Sequence, residues 1–178
     1  ATRPALVLGS TQQASVVVGD TSGLDVVHRR SGGGAVLVEP DRLAWIDVAL
    51  GRDDPLWDDD VGRAFHWLGD AWAAALGLLG VTGAAVHRGG LVRTEHSDLV
   101  CFAGLGPGEV TVEGAKVLGM AQRRTREGAL FQCAVPLTWE PERLAALLGI
   151  ERLDAPVLSV VGRTQSELLA SLVTQLPA

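Results

Sequence analysis

The chain has 178 residues, of which 47% are hydrophobic, and a formal net charge of −6. This length supports one well-packed core and is too short for two sizeable domains, so residues 1–178 are expected to form a single domain. The acidic balance argues against broad nucleic-acid binding. Two cysteines are too few for a disulfide framework and favour a reducing compartment, the cytoplasm. No apolar run of membrane-spanning length and no secretory segment occurs, so no membrane partner is expected.

Short β-branched or alternating runs predict strands over 5–8, 15–18, 26–27, 35–37, 43–50, 84–87, 99–102, 109–112, 117–121 and 129–137. Apolar residues at three- and four-residue spacing predict a core-facing helix from Val61 to Leu79, capped by the acidic run 58–60 and ended by Gly80. Two helices are predicted to follow. One has Pro141 in its first turn, and the other begins with a capping box of Thr164 and Glu167.

The first informative motif runs from Val26 to Val36 and contains Arg29-Arg30-Ser31-Gly32-Gly33-Gly34. Successive glycines let the backbone approach a ligand closely. Guanidinium groups beside them can clamp phosphate or carboxylate oxygens in bidentate fashion. A flexible turn beside a solvated basic pair is the alternative interpretation of this motif alone.

A second motif lies downstream, over residues 112–126, and reads Val-Glu-Gly-Ala-Lys-Val-Leu-Gly-Met-Ala-Gln-Arg-Arg-Thr-Arg. Glu113-Gly114 is typical of a hairpin turn. Such a turn would present Lys116 at the start of the returning strand.

Together the two motifs resemble the lipoate–protein ligase and octanoyltransferase family, over roughly residues 5 to 137. Its signatures are an Arg-rich Ser/Thr-Gly-Gly loop and a lysine hairpin ending in Gly-Ser/Ala-Ala-Gln. The resemblance implies a biotin/lipoate ligase-like α+β domain, with a mixed, mainly antiparallel sheet flanked by helices and an acyl tunnel between the two motifs. It also implies transfer of an octanoyl or lipoyl group to a lysine of a lipoyl carrier domain, in a 2-oxoacid dehydrogenase E2 or the glycine cleavage H protein. Acyl carrier protein is a candidate donor.

The resemblance assigns Lys116 to the acyl carbonyl, where negative charge develops during transfer. Arg29 is implied as a phosphate or carbonyl clamp, whereas His28 replaces the first arginine of the family loop. The full set of implied substrate contacts is Arg29, Arg30, Ser31, Gly32, Gly33, Gly34, Gly119, Ala121, Gln122 and Cys133.

Cys101 bears on the mechanism. It stands fifteen positions before Lys116, which matches the nucleophile of the amidotransferase-type octanoyltransferases. A thiolate is the reactive form, and neighbouring cations favour it. The alternative is a small buried hydrophobe on a strand. Cys133 replaces a family histidine, and packing is the alternative to a place in the site.

Two other functions stay open. In ATP-dependent lipoate ligation, with Mg²⁺, Lys116 and the glycines would bind an acyl-adenylate and Cys101 would be incidental. A non-catalytic acyl- or carrier-binding module is the other, because His28, Val38 and Cys133 depart from the family pattern. The family's N-terminal helix and C-terminal accessory domain are also expected to be missing.

No metal site and no permanently bound cofactor are expected, because His66, His87 and His96 lack ligand spacing. A second cationic group remains, formed by Arg123, Arg124 and Arg126. It would contact an acidic carrier surface or an adenylate, or form a solvated strand face.

Overall fold

The computed structural model describes residues 3–177. Within this range the strands are β1 (Ala5–Leu8), β2 (Asp25–His28), β3 (Val36–Val38), β4 (Leu43–Gly51), β5 (Ala84–Val86), β6 (Val110–Val112), β7 (Ala115–Arg124) and β8 (Gly128–Pro136). The α-helices are α1 (His66–Leu78), α2 (Pro141–Leu148) and α3 (Gln165–Gln175). Short 3-10 turns lie at Ala14–Val16, Arg63–Phe65 and Cys101–Ala103. The predicted α+β class is confirmed.

The strands form two sheets. The larger has five strands in the order β4-β8-β7-β6-β5, with every neighbouring pair antiparallel. The smaller has the order β2-β1-β3, in which β1 runs parallel to β2 and antiparallel to β3. Mixed and mainly antiparallel pairing is therefore confirmed, divided between two sheets.

Helices α1 and α3 cover one face of the five-stranded sheet. Trp72 of α1, Leu168 of α3 and Phe131 of β8 are completely buried in this layer. Burying side chains of this size stabilises the fold by about 1.5–3 kcal/mol each. Side chains alternate between the faces of a strand, so every second residue of β8 belongs to this layer.

A second apolar cluster lies on the other side of the sheet. It joins Leu6 and Leu8 of β1 to Leu144 of α2, to Ala134 of β8 and to Phe102 of the 3-10 turn. The three-stranded sheet and α2 thus pack opposite α1 and α3, and the segment around Phe102 lies between the two sheets.

The strands predicted over 15–18 and 99–102 are wrong. The amides of Val18 and Gly19 donate instead to the carbonyl of Leu147 at the end of α2. The amide of Val100 donates to the carbonyl of His96, and that of Ala103 donates to Val100. A distant carbonyl accepts the amides of Val18 and Gly19, and local turn bonds hold Val100 and Ala103, so β-branched propensity does not decide the structure of either run.

The first predicted helix begins five residues later than expected. The Asp60 carboxylate accepts the Arg63 amide at 2.8 Å, at the start of the preceding 3-10 turn, whereas the N-cap of α1 is Phe65. Val61 is consequently 57% exposed and not a core residue. The end at Gly80, where φ is +89°, is confirmed.

The last two helices begin as predicted. Pro141 lies in the first turn of α2, and Thr164 and Glu167 form the reciprocal capping box of α3. No helix within residues 3–177 has the length and apolar character needed to cross a bilayer.

Candidate active site

A cavity of about 620 Å³ opens between three segments of the chain. They are the glycine loop (residues 31–34), the cysteine turn (residues 100–104) and the beginning of β7, and the segments 11–16 and 91–99 complete the wall. Gly33, Gly34, Cys101 and Lys116 all line it, so the structure brings together four residues predicted to share a site. The volume falls in the range of small-molecule sites, about 300–1,000 Å³.

The glycine loop packs backbone against backbone on the cysteine turn. A Cβ atom on Gly34 would lie 2.6 Å from the main chain of Val100 and 2.7 Å from the Cys101 amide nitrogen. Gly33 has a φ of +96°, and a Cβ there would come 3.8 Å from Cys101 Sγ. Only glycine permits both this conformation and this approach. The motif therefore lets the loop lie directly beside the thiol.

Arg29 holds the glycine loop from within the fold. Its side chain is buried, and Nη2 donates to the carbonyl oxygens of Gly32 and Gly34, both at 2.8 Å. Within residues 3–177, Arg29 is not among the residues that line the cavity. Its role as a substrate clamp stays a prediction, and its visible role is to satisfy the carbonyls of the loop.

Ser31 ties the glycine loop to the five-stranded sheet. Its buried hydroxyl donates to Oε1 of Gln132 on β8 at 2.7 Å. Arg30 and Gly32 are exposed on either side of it. Gln132 was not predicted from the sequence, because the motif alone does not indicate which strand receives the serine.

Lys116 is buried and fully bonded. Its Nζ donates to the carbonyl oxygens of Cys101 at 2.8 Å and Gly104 at 2.9 Å, and lies 2.7 Å from Oε2 of Glu109. A lysine ammonium has three protons, so all of them have acceptors. A substrate carbonyl would have to displace one of these acceptors to bind Nζ.

A β-bulge turns Lys116 towards the cavity. Val110 pairs with Leu118 and Thr111 pairs with Lys116, so Val117 is an extra residue in β7. A bulge shifts the alternation of side chains by one position. Lys116 therefore shares a face with Gly119, where a Cβ would lie 3.4 Å from Lys116 Cε.

Cys101 is held at both ends of its main chain. Its amide donates to the carbonyl of Ala35 at 3.1 Å, and its carbonyl accepts from Lys116 Nζ. The residue is a free, half-buried cysteine at the wall of the cavity. Its place on a 3-10 turn, not a strand, leaves the thiol accessible to a substrate.

Three further predicted contacts lie along β7. Gly119 and Ala121 pair with Ala134 and Gln132, on the face turned towards the glycine loop. Gln122 alternates to the other face, where its amide nitrogen is buried without a hydrogen-bond partner in the described part of the chain. The structure thus does not bring Gln122 into the cavity.

Cys133 is placed away from the cavity, and its assignment to the site is corrected accordingly. It is 1% exposed and belongs to the core under α1, beside Trp72. Strand alternation puts it opposite Gln132 and Ala134, which face the site. Burial raises the pKa of the Cys133 thiol to about 12, so a thiolate is strongly disfavoured there.

The remaining polar candidates take part in local contacts. Nε2 of His28 lies 3.0 Å from the carbonyl oxygen of Gln12, a residue of the cavity wall. Arg124 stacks on Trp57, 4.5 Å from the ring centroid. Arg123 is half-buried and Arg126 is exposed. A contact with an acidic carrier surface or an adenylate, and the alternative of a solvated strand face, therefore both stay predictions.

Glu109 is the main functional candidate that sequence reasoning missed. It lies just before β6, lines the cavity and pairs with Lys116. The sequence marks the partner of Glu109 rather than Glu109 itself, because Lys116 is the only lysine among the fifteen Lys and Arg residues. A single lysine among arginines points to a role that guanidinium does not fill.

The fold is the one that lipoate and biotin ligase catalytic domains share. More specifically, the chain belongs to the lipoyl protein ligase A/B catalytic domain family, whose sequence profile matches residues 1–170.

Two curated relatives are octanoyltransferases named LipM. The protein of Clostridioides difficile is 29% identical over 126 residues, which are 70% of this chain and 45% of the relative. The protein of Moorella thermoacetica is 35% identical over 128 residues, which are 71% of this chain and 45% of the relative. The chain therefore spans about half the length of the curated relatives it matches.

Solved structures agree on the fold. Lipoate-protein ligase A bound with ATP superposes with a TM-score of 0.74 at 18% identity, over 97% of this chain and 67% of that one. A bipartite lipoate protein ligase described with its E2 lipoyl domain, from Thermoplasma acidophilum, gives a TM-score of 0.67 at 19% identity, over 97% and 66%. At these identities the likeness is one of fold alone.

Proposed function

We propose that the chain moves an octanoyl or lipoyl group from a thioester donor to a lysine of a lipoyl carrier domain, with Cys101 as the covalent acceptor. The observation that carries this proposal is the free thiol of Cys101 beside Gly33, in the cavity that Lys116 also lines. The names of the curated relatives support the octanoyl group.

The transfer takes place in two steps that balance. The Cys101 thiol loses its proton, and the thiolate attacks the thioester carbonyl. A C–S bond to Cys101 forms, the C–S bond to the donor breaks, and the donor sulfur leaves as a thiol with the proton. The amine of the carrier lysine then attacks the acyl-enzyme. An amide C–N bond forms, the C–S bond to Cys101 breaks, and the thiol regains a proton from the amine.

A thioester donor is already activated, so this reaction uses no ATP and no resident cofactor. We infer an acyl carrier protein as donor. The proposed acceptor is the lipoyl domain of a 2-oxoacid dehydrogenase E2 or the H protein of the glycine cleavage system. A reducing compartment such as the cytoplasm suits this chemistry, since it keeps Cys101 as the free thiol seen here.

Intact-protein mass spectrometry tests the proposal. The protein is incubated with octanoyl-acyl carrier protein, and in a second arm with octanoate, ATP and Mg²⁺. We expect one octanoyl group on Cys101 in the first arm, its transfer when apo lipoyl domain is added, and no adduct in Cys101→Ser.

The other outcomes are equally definite. Modification of the carrier only in the ATP arm would replace this proposal with ligation through an acyl-adenylate. No modification in either arm, with octanoyl thioester still bound, would indicate a binding module. Cys133→Ser is the matched control, and it should acylate like the wild type because that thiol is buried away from the cavity.

A further inference from the structure

Glu109 is the central acceptor of a buried network. Its Oε2 lies 2.7 Å from Lys116 Nζ and accepts the Gly106 amide at 2.6 Å. Its Oε1 accepts the Met120 amide at 2.9 Å. The side chains of Glu109 and Lys116 are 4% and 5% exposed. A buried carboxylate must be bonded on both oxygens, and this one is.

The network reaches the cysteine through Lys116. The ammonium group of Lys116 directs one of its three protons at the Glu109 carboxylate. It donates the other two to the carbonyl oxygens of Cys101 and Gly104. It also lies 5.2 Å from the centroid of the Phe102 ring, a favourable cation–π distance. The cysteine turn is thus fastened to β7 by one ammonium group, which Glu109 holds in place.

Cys101 consequently has two anchors. One is the hydrogen bond from its amide to the carbonyl of Ala35, at the end of the glycine loop. The other is the hydrogen bond that its carbonyl accepts from Lys116. If the Lys116 ammonium loses its carboxylate partner, it remains as a buried unpaired charge. Its desolvation is then no longer offset by the attraction to Glu109. Solvation would then favour a Lys116 side chain that turns towards water, and the hydrogen bond to the Cys101 carbonyl would be lost.

We propose that Glu109 is a positioning residue that fixes Lys116 against the cysteine turn and thereby fixes the Cys101 thiol beside the glycine loop. The catalytic consequence rests on the function proposed above. The structural consequence does not, so the two can be tested separately.

The first measurement is independent of acyl chemistry. Because Lys116 is the only lysine, protein labelled with ¹⁵N-lysine gives one side-chain ammonium signal in ¹H–¹⁵N spectra. In the wild type we expect a slowly exchanging signal. In Glu109→Gln we expect its loss to solvent exchange, together with amide hydrogen exchange in the cysteine turn that is faster by about tenfold or more.

The second measurement is the rate of Cys101 acylation by octanoyl thioester in a single turnover. We expect a decrease of about tenfold or more in Glu109→Gln, with the KM for the donor within about twofold, because the thiol is misplaced while the cavity remains. Glu113→Gln is the matched control. It makes the same change at an exposed glutamate of the β6–β7 turn, and neither readout should move.

A double variant guards against misfolding. Glu109→Gln with Lys116→Met removes both charges and leaves neither unpaired. If Glu109 acts through Lys116, the double variant should match Lys116→Met alone within about twofold in exchange of the cysteine turn, since coupled residues are not additive.

Two results would overturn the positioning role. One is wild-type exchange of the cysteine turn in folded Glu109→Gln or in the double variant. The other is a full additional effect of Glu109→Gln in the Lys116→Met background. Altered exchange in the variants together with no acylation of wild-type Cys101 would instead retain the positioning role and reject the proposed function.

Discussion

Lys116 and Glu109 differ from the other ion pairs in the described part of the chain. Both partners are almost completely buried, whereas every other pair has a basic side chain at least 39% exposed. Exposed pairs are worth about 0–1 kcal/mol. The electrostatics that matter for this fold are therefore concentrated at the site.

Lys116→Ala is expected to lower acyl transfer about a hundredfold, because a displaced reacting group costs rate on that scale. It should also reduce the free energy of unfolding by about 3–5 kcal/mol, since the Glu109 carboxylate remains buried without its partner. Steady-state rates and urea denaturation of the same variant check both numbers. A folded variant that retains activity within a few-fold would remove Lys116 from the site.

Cys133 predicts a specific pH dependence. Burial raises the pKa of this thiol in the folded state from its ordinary value of 9.0 to about 12, so folding keeps the thiol protonated. Stability from this group is fully present below pH ~9 and is lost as the pH rises towards ~12. Between pH ~8 and pH ~10 the loss should be about 1.4 kcal/mol.

Urea denaturation of the wild type and of Cys133→Ala at the two pH values measures this loss. The difference in slope between the two proteins belongs to Cys133. Equal pH dependence in both would contradict the burial of this thiol, as would its alkylation at the rate of Cys101 in the native protein at neutral pH.

At the scale of elements, the site depends on loops that are fixed by neighbouring strands. The glycine loop lies against the cysteine turn, and the bulge in β7 directs Lys116 at that turn. Neither the glycine loop nor the cysteine turn is part of a strand in the described residues 3–177. The geometry of their contact is set by glycine, by the backbone hydrogen bonds of Ala35 with Leu99 and Cys101, and by side-chain bonds to backbone carbonyls.

Gly34→Ala should therefore destabilise the fold by about 1–3 kcal/mol, the usual cost of overpacking. The new Cβ would meet the main chain of Val100 and Cys101 at 2.6–2.7 Å, and backbone cannot rotate away as a side chain can. Gly32→Ala in the same loop is the matched control. Nothing lies within 4 Å of its Cβ, so its melting temperature should stay close to the wild type. Equal melting temperatures for the two variants would contradict the close packing.

The same contact shows how far the sequence could predict the site. The two motifs indicated Lys116 and the glycines, because their residue types and order suffice, and the family resemblance indicated Cys101 by its spacing from Lys116. The strand predicted over 99–102 failed, because the carbonyl of Cys101 bonds a lysine side chain from a distant hairpin. Glu109 escaped for the same reason, since its partner is defined only by the folded structure. Gln122 and Cys133 were misplaced because β7 and β8 alternate faces.

At the scale of the whole molecule, the cavity forms only when distant segments of the chain pack together. Its walls come from the segment after β1, from the glycine loop between β2 and β3, from residues 91–99 and the cysteine turn after them, and from β7. The bond from Ser31 to Gln132 joins the two sheets beside it. That residues 1–178 act as a single catalytic domain stays a prediction. What the fold requires is that both sheets be in place before the cavity exists.

If the proposed function is correct, octanoic acid should stabilise the whole fold, because its binding site would be a cavity that the unfolded chain lacks. At a concentration of 100 times Kd the gain is about 2.7 kcal/mol in the free energy of unfolding, measured as a rise in the urea midpoint. Cys101→Trp, which places an indole in the cavity wall, should fold but lose the response. Amphiphilic binding to the surface would stabilise both proteins equally, and that result, or no rise in the wild type, would reject the cavity as the acyl site.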